Sequence, residues 1–323
     1  MNNIMNKILN CDDIWKYIII PYVNPKLFRC PELRSVCRRF FHLFPSCPNK
    51  SKYIKIPSDK YKTLNDGYKY IIKLLNDDRN TDTIKIPEIW LDYGTHFNPI
   101  IVIRVPLVII GMGIDKTFIK NGLVFNIDEK WNKYIPYINT KLENITINNN
   151  YSKYKDGIKY SGENFLHINS CKINKCIGFG IKGMNINIII VNSIICNIKN
   201  CGVHLSYGSI IDIDNLEIHD CGYGISISNI NREYPAKIKN INIHHNNVTG
   251  ISLGGWYPDS NIIISGNNTN ISFNNRHKLL SHYGMKSSHS SKIIINGIGK
   301  KICHNNYNQD YAVENGGKIV FVS

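Results

Sequence analysis

Through most of the chain, short apolar runs alternate with polar residues. Ile211, Ile213 and Ile218, then Ile225 and Ile227, keep a period of two, with Ser, Asp and His between them. That period marks a half-buried strand with one face in and one face out. The runs are too short for apolar positions three and four apart to build helices. The runs also recur. KINKCIGFGIKG starts at Lys172, NIKNCGVHLSYG at Asn197, LEIHDCGYGISIS at Leu216 and INIHHNNVTGISLG at Ile241, with weaker copies NISFNN from Asn270 and KICHNN from Lys301. Taking Cys176, Cys201, Cys221, Asn246, Asn274 and Asn305 as corner marks, the copies are spaced by about 20 to 30 residues, the span of a unit that stacks on its neighbours. A coil of such strands cannot bury its inner face alone, so the pattern predicts a solenoid wound about an apolar axis.

The corners carry their own expectations. Gly180, Gly202, Gly224 and Gly250 are read as supplying the positive backbone dihedral of a tight bend. Asn tolerates the same conformation, and stacked Asn side chains are expected to form amide ladders from coil to coil. Cys176, Cys201 and Cys221 are expected to point inward as small apolar groups.

Residues 9 to 44, LNCDDIWKYIIIPYVNPKLFRCPELRSVCRRFFHLF, have a helical pattern instead. Asp12 and Asp13 suit a helix start, and Ile14, Trp15 and Ile18 follow at helical spacing. A second helix is expected after Pro31, with Leu33, Val36, Cys37, Phe40 and Phe41 on its apolar side and Pro45 and Pro48 closing it. Between Cys47 and about Asp82 lies a connector. It holds a strand from Lys52 to Ile56 and a helix from about Thr63 to Leu75, whose face of Tyr68, Ile71, Ile72 and Leu75 suits a lid over the solenoid axis.

From Thr83 the chain reads TIKIPEIWLDYGTHFNPIIVIRVPLVIIGMG, which resembles the first coil of pectate-lyase-like right-handed parallel β-helices. That resemblance also supplies the hand. The segment from Leu9 through Asp12-Asp13-Ile14-Trp15, Ile18 and Tyr22-Val23 to Leu33-Arg34-Ser35-Val36-Cys37-Arg38-Arg39-Phe40 resembles the F-box, the module that docks on the Skp1 subunit of cullin-type ubiquitin ligases. Asn10 and Cys11 stand where an F-box usually has Leu-Pro. Together the two imply a mainly β fold: a small all-α F-box-like domain over 8–48, a connector over 49–82 and a right-handed parallel β-helix over 83–323. They imply a non-catalytic substrate receptor, whose Leu9, Ile14, Trp15, Ile18, Leu33, Val36 and Phe40 contact a Skp1-like adaptor while the solenoid holds a target protein. Trp256 and Tyr257 are the candidate target contacts, since aromatic side chains dominate binding surfaces. A carbohydrate-binding or polysaccharide-degrading β-helix, or a structural one capped by its N-terminal helices, is the alternative.

Composition narrows the partners. In 323 residues, 43% of them hydrophobic, a sizeable core is available. No apolar run of membrane-spanning length occurs, and the N-terminus lacks the pattern of a signal peptide. The 10 Cys are scattered rather than set out as a disulfide framework, so a reducing, cytoplasmic location is expected. The net charge of +15 is dispersed, and Ile, Asn, Lys and Tyr are the residues of AT-rich codons, as in a large DNA virus or a protist. Nucleic-acid binding is therefore not the expected role.

Chemistry on the coils is sparse. Asp212 and Asp214 lie two apart on one strand and form the best acidic pair, but their spacing suits solvated strand-face residues. His219, His244, His245 and His304 occupy corner positions that stack on one face. No compact pair of metal-ligand spacing is present, so neither metal nor cofactor is expected. Gly111-Met112-Gly113 lacks the helix and third glycine of a dinucleotide loop and is read as a turn.

Overall fold

A computed structural model describes residues 53–77, 86–97, 102–134, 139–150, 155–207, 210–230, 234–254, 260–274, 283–297, 302–307 and 309–322. The F-box-like segment over 8–48 lies outside the described residues.

The described chain winds into a parallel solenoid with three strands per coil. One column forms a nine-stranded sheet, which we call the first face. It runs through Ile158–Ser161, Ile181–Met184, Cys201–Ser206, Tyr223–Ser228 and Ile251–Gly254 to Tyr283–Ser288 and Gln309–Glu314. The other two columns form the second face, exemplified by Phe165–Asn169, and the third, exemplified by Lys172–Asn174 and Asn242–His244. They count as one 18-stranded sheet because Asn187–Cys196 and Ile210–His219 cross from one face to the other. All pairings are parallel and in register from coil to coil, as at Ile188↔Ile211 and Ile195↔Ile218. Strand twist favours right-handed crossovers between parallel strands.

Coil after coil turns alternate isoleucines inward. Ile211, Ile213, Ile218, Ile225 and Ile227 are all buried, within one continuous core that runs from Ile54 to Cys303. The period of two places them there, because alternate side chains point to opposite faces of a strand.

The bends come from single left-handed residues that seldom are glycine. Ser170, Asn192, Asn215 and Asn240 turn the chain from second to third face with φ of 51° to 54°. Lys175, Asn197, Asp220, His245, Phe273 and Asn305 turn it off the third face with φ of 53° to 55°. This corrects the role expected of Gly180, Gly202, Gly224 and Gly250, none of which has a positive φ. They form a column in which a Cβ would strike the next coil's backbone: at Gly180 it would meet Gly202 O at 2.5 Å, and at Gly202 it would meet Gly224 O at 2.8 Å. Close stacking of backbones, not backbone dihedral, selects glycine there.

The first coil starts within the stretch set apart as connector. The expected strand is Tyr53–Ile56, and it pairs in parallel with Glu88–Leu91. Solenoid structure is thus present before residue 83. The expected helix is Leu64–Asp77, here α1. Thr63 caps it: its N–H and its hydroxyl both donate to Asp66 Oδ2, at 2.9 and 2.8 Å, while Asp66 N–H donates back to Thr63 Oγ1 at 3.2 Å. Leu64, Tyr68 and Ile71 are buried against the first coil, with Ile72 and Leu75 partly so. Burial raises the Tyr68 phenol's pKa, and its oxygen accepts the Arg104 N–H at 2.9 Å. Gly111-Met112-Gly113 is a bend that leads into a turn over 113–117, closed by Lys116 and Thr117 N–H donating to Gly113 O. Trp131, expected in a loop insertion with Tyr134 and Tyr137, lies buried on a 3₁₀ helix at Glu129–Tyr134.

Candidate functional site

The corner leaving the third face has an inner and an outer side. Inside, Cys176 and Cys221 are buried as expected, and so is Cys201. The strand register places Ile198, rather than Cys201, level with Cys176 and Cys221. Cys201 instead starts a first-face strand opposite Tyr223. Burial pushes the thiols of Cys176 and Cys201 up to about 12, and that of Cys221 higher still. They pack as inert apolar groups.

Further along the same corner the expected amide ladder is present. Asn246 Nδ2 donates to Asn274 Oδ1 at 2.9 Å and Asn274 Nδ2 to Asn306 Oδ1 at 3.0 Å. Asn306 Nδ2 donates to Asp310 Oδ1 at 3.0 Å, and Asn246 Oδ1 accepts the Cys221 N–H at 3.0 Å. Asn306 rather than Asn305 completes this row, and all three amides are buried. Each amide also bonds the backbone, so the polar groups are satisfied without water.

On the outer side, one or two residues earlier in each coil, a histidine ridge forms. His219 and His244 occupy equivalent positions on consecutive coils. Their rings stack with centroids 5.2 Å apart and an interplanar angle of 1°. His244 meets His245 edge-on at 5.0 Å, His245 stacks on Phe273 at 5.4 Å, and Phe273 meets His304 at 6.5 Å. The expected row of four histidines is thus brought together, joined by an aromatic that histidine spacing alone does not reveal. Phe273 is 49% exposed, and Tyr307 beyond it is 59% exposed.

Two carboxylates serve the ridge. His244 Nε2 lies 3.2 Å from Glu217 Oε1, and His219 Nδ1 lies 2.8 Å from Asp220 Oδ2. His244 Nδ1 is 2.7 Å from His245 Nδ1. Beside the histidines runs an outward amide row on the same face. Asn270 Nδ2 donates to Asn242 Oδ1 at 2.9 Å and Asn242 Nδ2 to Glu217 Oε1 at 3.5 Å. Among the described residues, no three His, Cys, Asp or Glu groups converge as a metal site.

The remaining sites divide sharply. Asp212 and Asp214 lie on the second face, facing outward, opposite Lys237 and Lys239 of the next coil. Asp214 Oδ1 accepts from Asn240 Nδ2 at 2.8 Å. They are strand-face residues as expected. An acidic recess of about 450 Å³, lined by Asp128, Glu129, Glu163 and Met184, opens at the bend between the first and second faces. One of its acids, Asp128, pairs with Arg104 at 3.4 Å. Leu9, Ile14, Trp15, Ile18, Leu33, Val36 and Phe40 lie outside the described residues, as do Trp256 and Tyr257, on the segment between Gly254 and Ser260. Among the described residues, no helix is long and apolar enough to cross a membrane.

Fold and surface together define a parallel β-solenoid with a polar, histidine- and asparagine-lined lateral face. No family model matches the chain, and no curated protein does. Among solved structures it is similar to the mannuronan C-5 epimerase AlgE6 A-module of Azotobacter vinelandii, with 11% identity and a TM-score of 0.38, over 80% of this chain and 95% of that one. It is also similar to the Agl-KA catalytic domain, with 13% identity and a TM-score of 0.26, over 80% of this chain and 66% of that one.

Proposed function

We propose that the third face is a recognition surface for an extended polar polymer, with a polysaccharide as the class it fits. One observation carries this: hydrogen-bonding side chains repeat coil after coil along the face, Glu217, Asn242 and Asn270 beside His219 and His244, and end in the exposed rings of Phe273 and Tyr307. Sugar hydroxyls bond amides and carboxylates, while their apolar ring faces lie against aromatic side chains. A chain of like units meets a surface of like units. Binding is tested by retention on a panel of insoluble and soluble polysaccharides. Phe273→Ala and Glu217→Ala are each expected to weaken retention about tenfold or more, the scale of one anchor side chain. Retention by no polymer of the panel overturns the proposal.

A second role is carried by the N-terminal sequence. Leu33-Arg34-Ser35-Val36-Cys37-Arg38-Arg39-Phe40, with Leu9, Ile14, Trp15 and Ile18, suits docking on a Skp1-like adaptor as a helical apolar surface in a partner groove. The chain would then present what the solenoid holds, a glycan-bearing target included, to a cullin ubiquitin ligase. In this role the chain is an adaptor rather than a catalyst, and Trp256 and Tyr257 are its additional target contacts. A pull-down with Skp1 decides it: the wild type associates, and Ile14→Asp/Trp15→Ala does not. Absence of association by the wild type removes this role and leaves the solenoid's own untouched.

A further inference from the structure

We propose that the third face carries a second aromatic anchor, Phe97 with Lys120, at the end opposite Phe273, and that the two together select polysaccharide chains long enough to reach both. For its ligand this second anchor rests on the function proposed above; its position in the fold does not.

One outward column joins the two ends without a break. Strand pairing keeps a single register from Phe97 through Lys120, Asn174 and His219 to Ser272, and Phe273 follows Ser272 in the chain. Each pairing is one coil step, and parallel strands lie about 4.8 Å apart, so seven steps put the two ends of the column about 34 Å from each other. A sugar unit of an extended chain advances by roughly one coil spacing. A chain of about seven or eight units therefore spans the distance.

The Phe97 end has the parts of a sugar contact. Alternation along the strand Gly94–Phe97 buries His96 and turns Phe97 outward, where it is 62% exposed. Lys120, level with it on the next coil, sets its ammonium 5.0 Å from the Phe97 ring centroid. The cation holds one face of the ring, and its N–H groups donate to hydroxyls of a unit lying beside it. At the start of the same two strands the pairing repeats: Tyr93 is exposed, and Lys116 Nζ lies 5.6 Å from its ring centroid.

The coil midway between the two ends offers a weaker hold. There Cys196 is buried and donates to Asn174 Oδ1 at 3.5 Å, and Asn197 Nδ2 donates to the same oxygen at 3.0 Å. Beside Cys196, Ile194 occupies the position that Glu217, Asn242 and Asn270 take on later coils. A chain held at both ends engages its second anchor intramolecularly, at an effective concentration set by its own length. A chain too short to reach engages each end separately. The face therefore reads chain length as well as chain chemistry.

Chain length and stoichiometry on the full chain test the second anchor. Xylan, mixed-linkage glucan and polygalacturonate stand for the polysaccharide panel, each also cut to oligomers of about four and about ten units, below and above the spanning length. Titration calorimetry counts the sites. The wild type is expected to take two of the short oligomers or one of the long, and to bind the long one at least about tenfold more tightly. Phe97→Ala is expected to keep one site for the short oligomer and to lose the gain from length. A single short-oligomer site in the wild type overturns the second anchor and leaves the function above standing. Equal affinity for both lengths, or a length gain that survives in Phe97→Ala, does the same. Binding of neither the oligomers nor their parent polymers overturns the function and the anchor together.

Discussion

His245 and Asn246 are neighbours in sequence and stand on opposite sides of one backbone corner. The same division repeats at Lys175 and Cys176, Asn197 and Ile198, Asp220 and Cys221, Phe273 and Asn274, and Asn305 and Asn306. The inner member of each pair is confined to Cys, Ile or Asn, because it must fit a narrow lumen and satisfy any polar group it brings. The outer member varies freely among Lys, Asn, Asp, His and Phe, since each needs only to tolerate one left-handed residue. Packing and buried hydrogen bonds are therefore concentrated on the inside of the corner, and the side chains of the proposed recognition surface on the outside, one or two residues away.

The most severe test of that division is Asn274→Ala. Asn274 Oδ1 accepts from Asn246 N–H at 3.2 Å and from Asn246 Nδ2 at 2.9 Å, while its own Nδ2 donates to Ile243 O at 3.2 Å and to Asn306 Oδ1 at 3.0 Å. Removing it strands several buried groups at once. A loss of about 3 to 5 kcal/mol in urea unfolding is expected from unsatisfied desolvated partners in a shared network. A loss below 1 kcal/mol would mean that the inner amides are ornamental.

Gly180→Ala is expected to follow, at about 2 to 3 kcal/mol, from overpacking against a neighbouring backbone. Its Cβ would sit 2.5 Å from Gly202 O and 2.9 Å from Ile195 Cγ2, and neither coil can retreat without breaking register. Because φ at Gly180 is not positive, an unchanged melting point would show that the glycine column is conformational after all.

This column also explains which parts of the architecture could be read without coordinates. Solenoid, inward isoleucines, capping helix and amide ladder are all legible, because period-two burial and side-chain size act locally. Register was harder. Aligning Cys201-Gly202 with Cys221-Gly222 slips by two residues, since Gly202 stacks beneath Gly224. The slip leaves Cys201 in a different row, buried although it stands level with the exposed Tyr223 of the next coil. The histidine ridge was legible in part: His219, His244, His245 and His304 share a corner. Their carboxylate partners and Phe273 were not singled out, because pairing depends on coil-to-coil register. Counting back one residue from each inner Asn would have found Phe273.

A milder probe of the lumen is alkaline pH. Burial pushes the Tyr160 phenol up to about 12, and its hydroxyl donates to Asn164 O at 3.3 Å. A raised folded pKa means that the neutral form is the one stabilised. Its contribution is complete below the unfolded value near 10 and is lost as pH climbs from about 10 through 12. The Cys171, Cys176 and Cys201 thiols, also pushed up to about 12 by burial, act with the same sign from about pH 9 upward. Unfolding midpoints are expected to fall across that window. Tyr160→Phe should flatten the part above pH 10, and an unchanged slope would place the tyrosine's ionisation in solvent.

The smallest expected effect on stability belongs to Phe273→Ala, and that is its value. Phe273 is 49% exposed, and it contacts His245 and His304 rather than the core. Truncation there removes partly solvated contacts and leaves Asn274, its inner neighbour, in the ladder. The unfolding free energy should move by less than about 1 kcal/mol, as for substitutions away from the core. Polymer retention should nevertheless drop about tenfold, because an anchor ring contributes to binding rather than to folding. A variant that lost stability in proportion to binding would place Phe273 with the inner residues. The two sides of the corner would then be one structural unit, and the outer row would have no chemistry of its own.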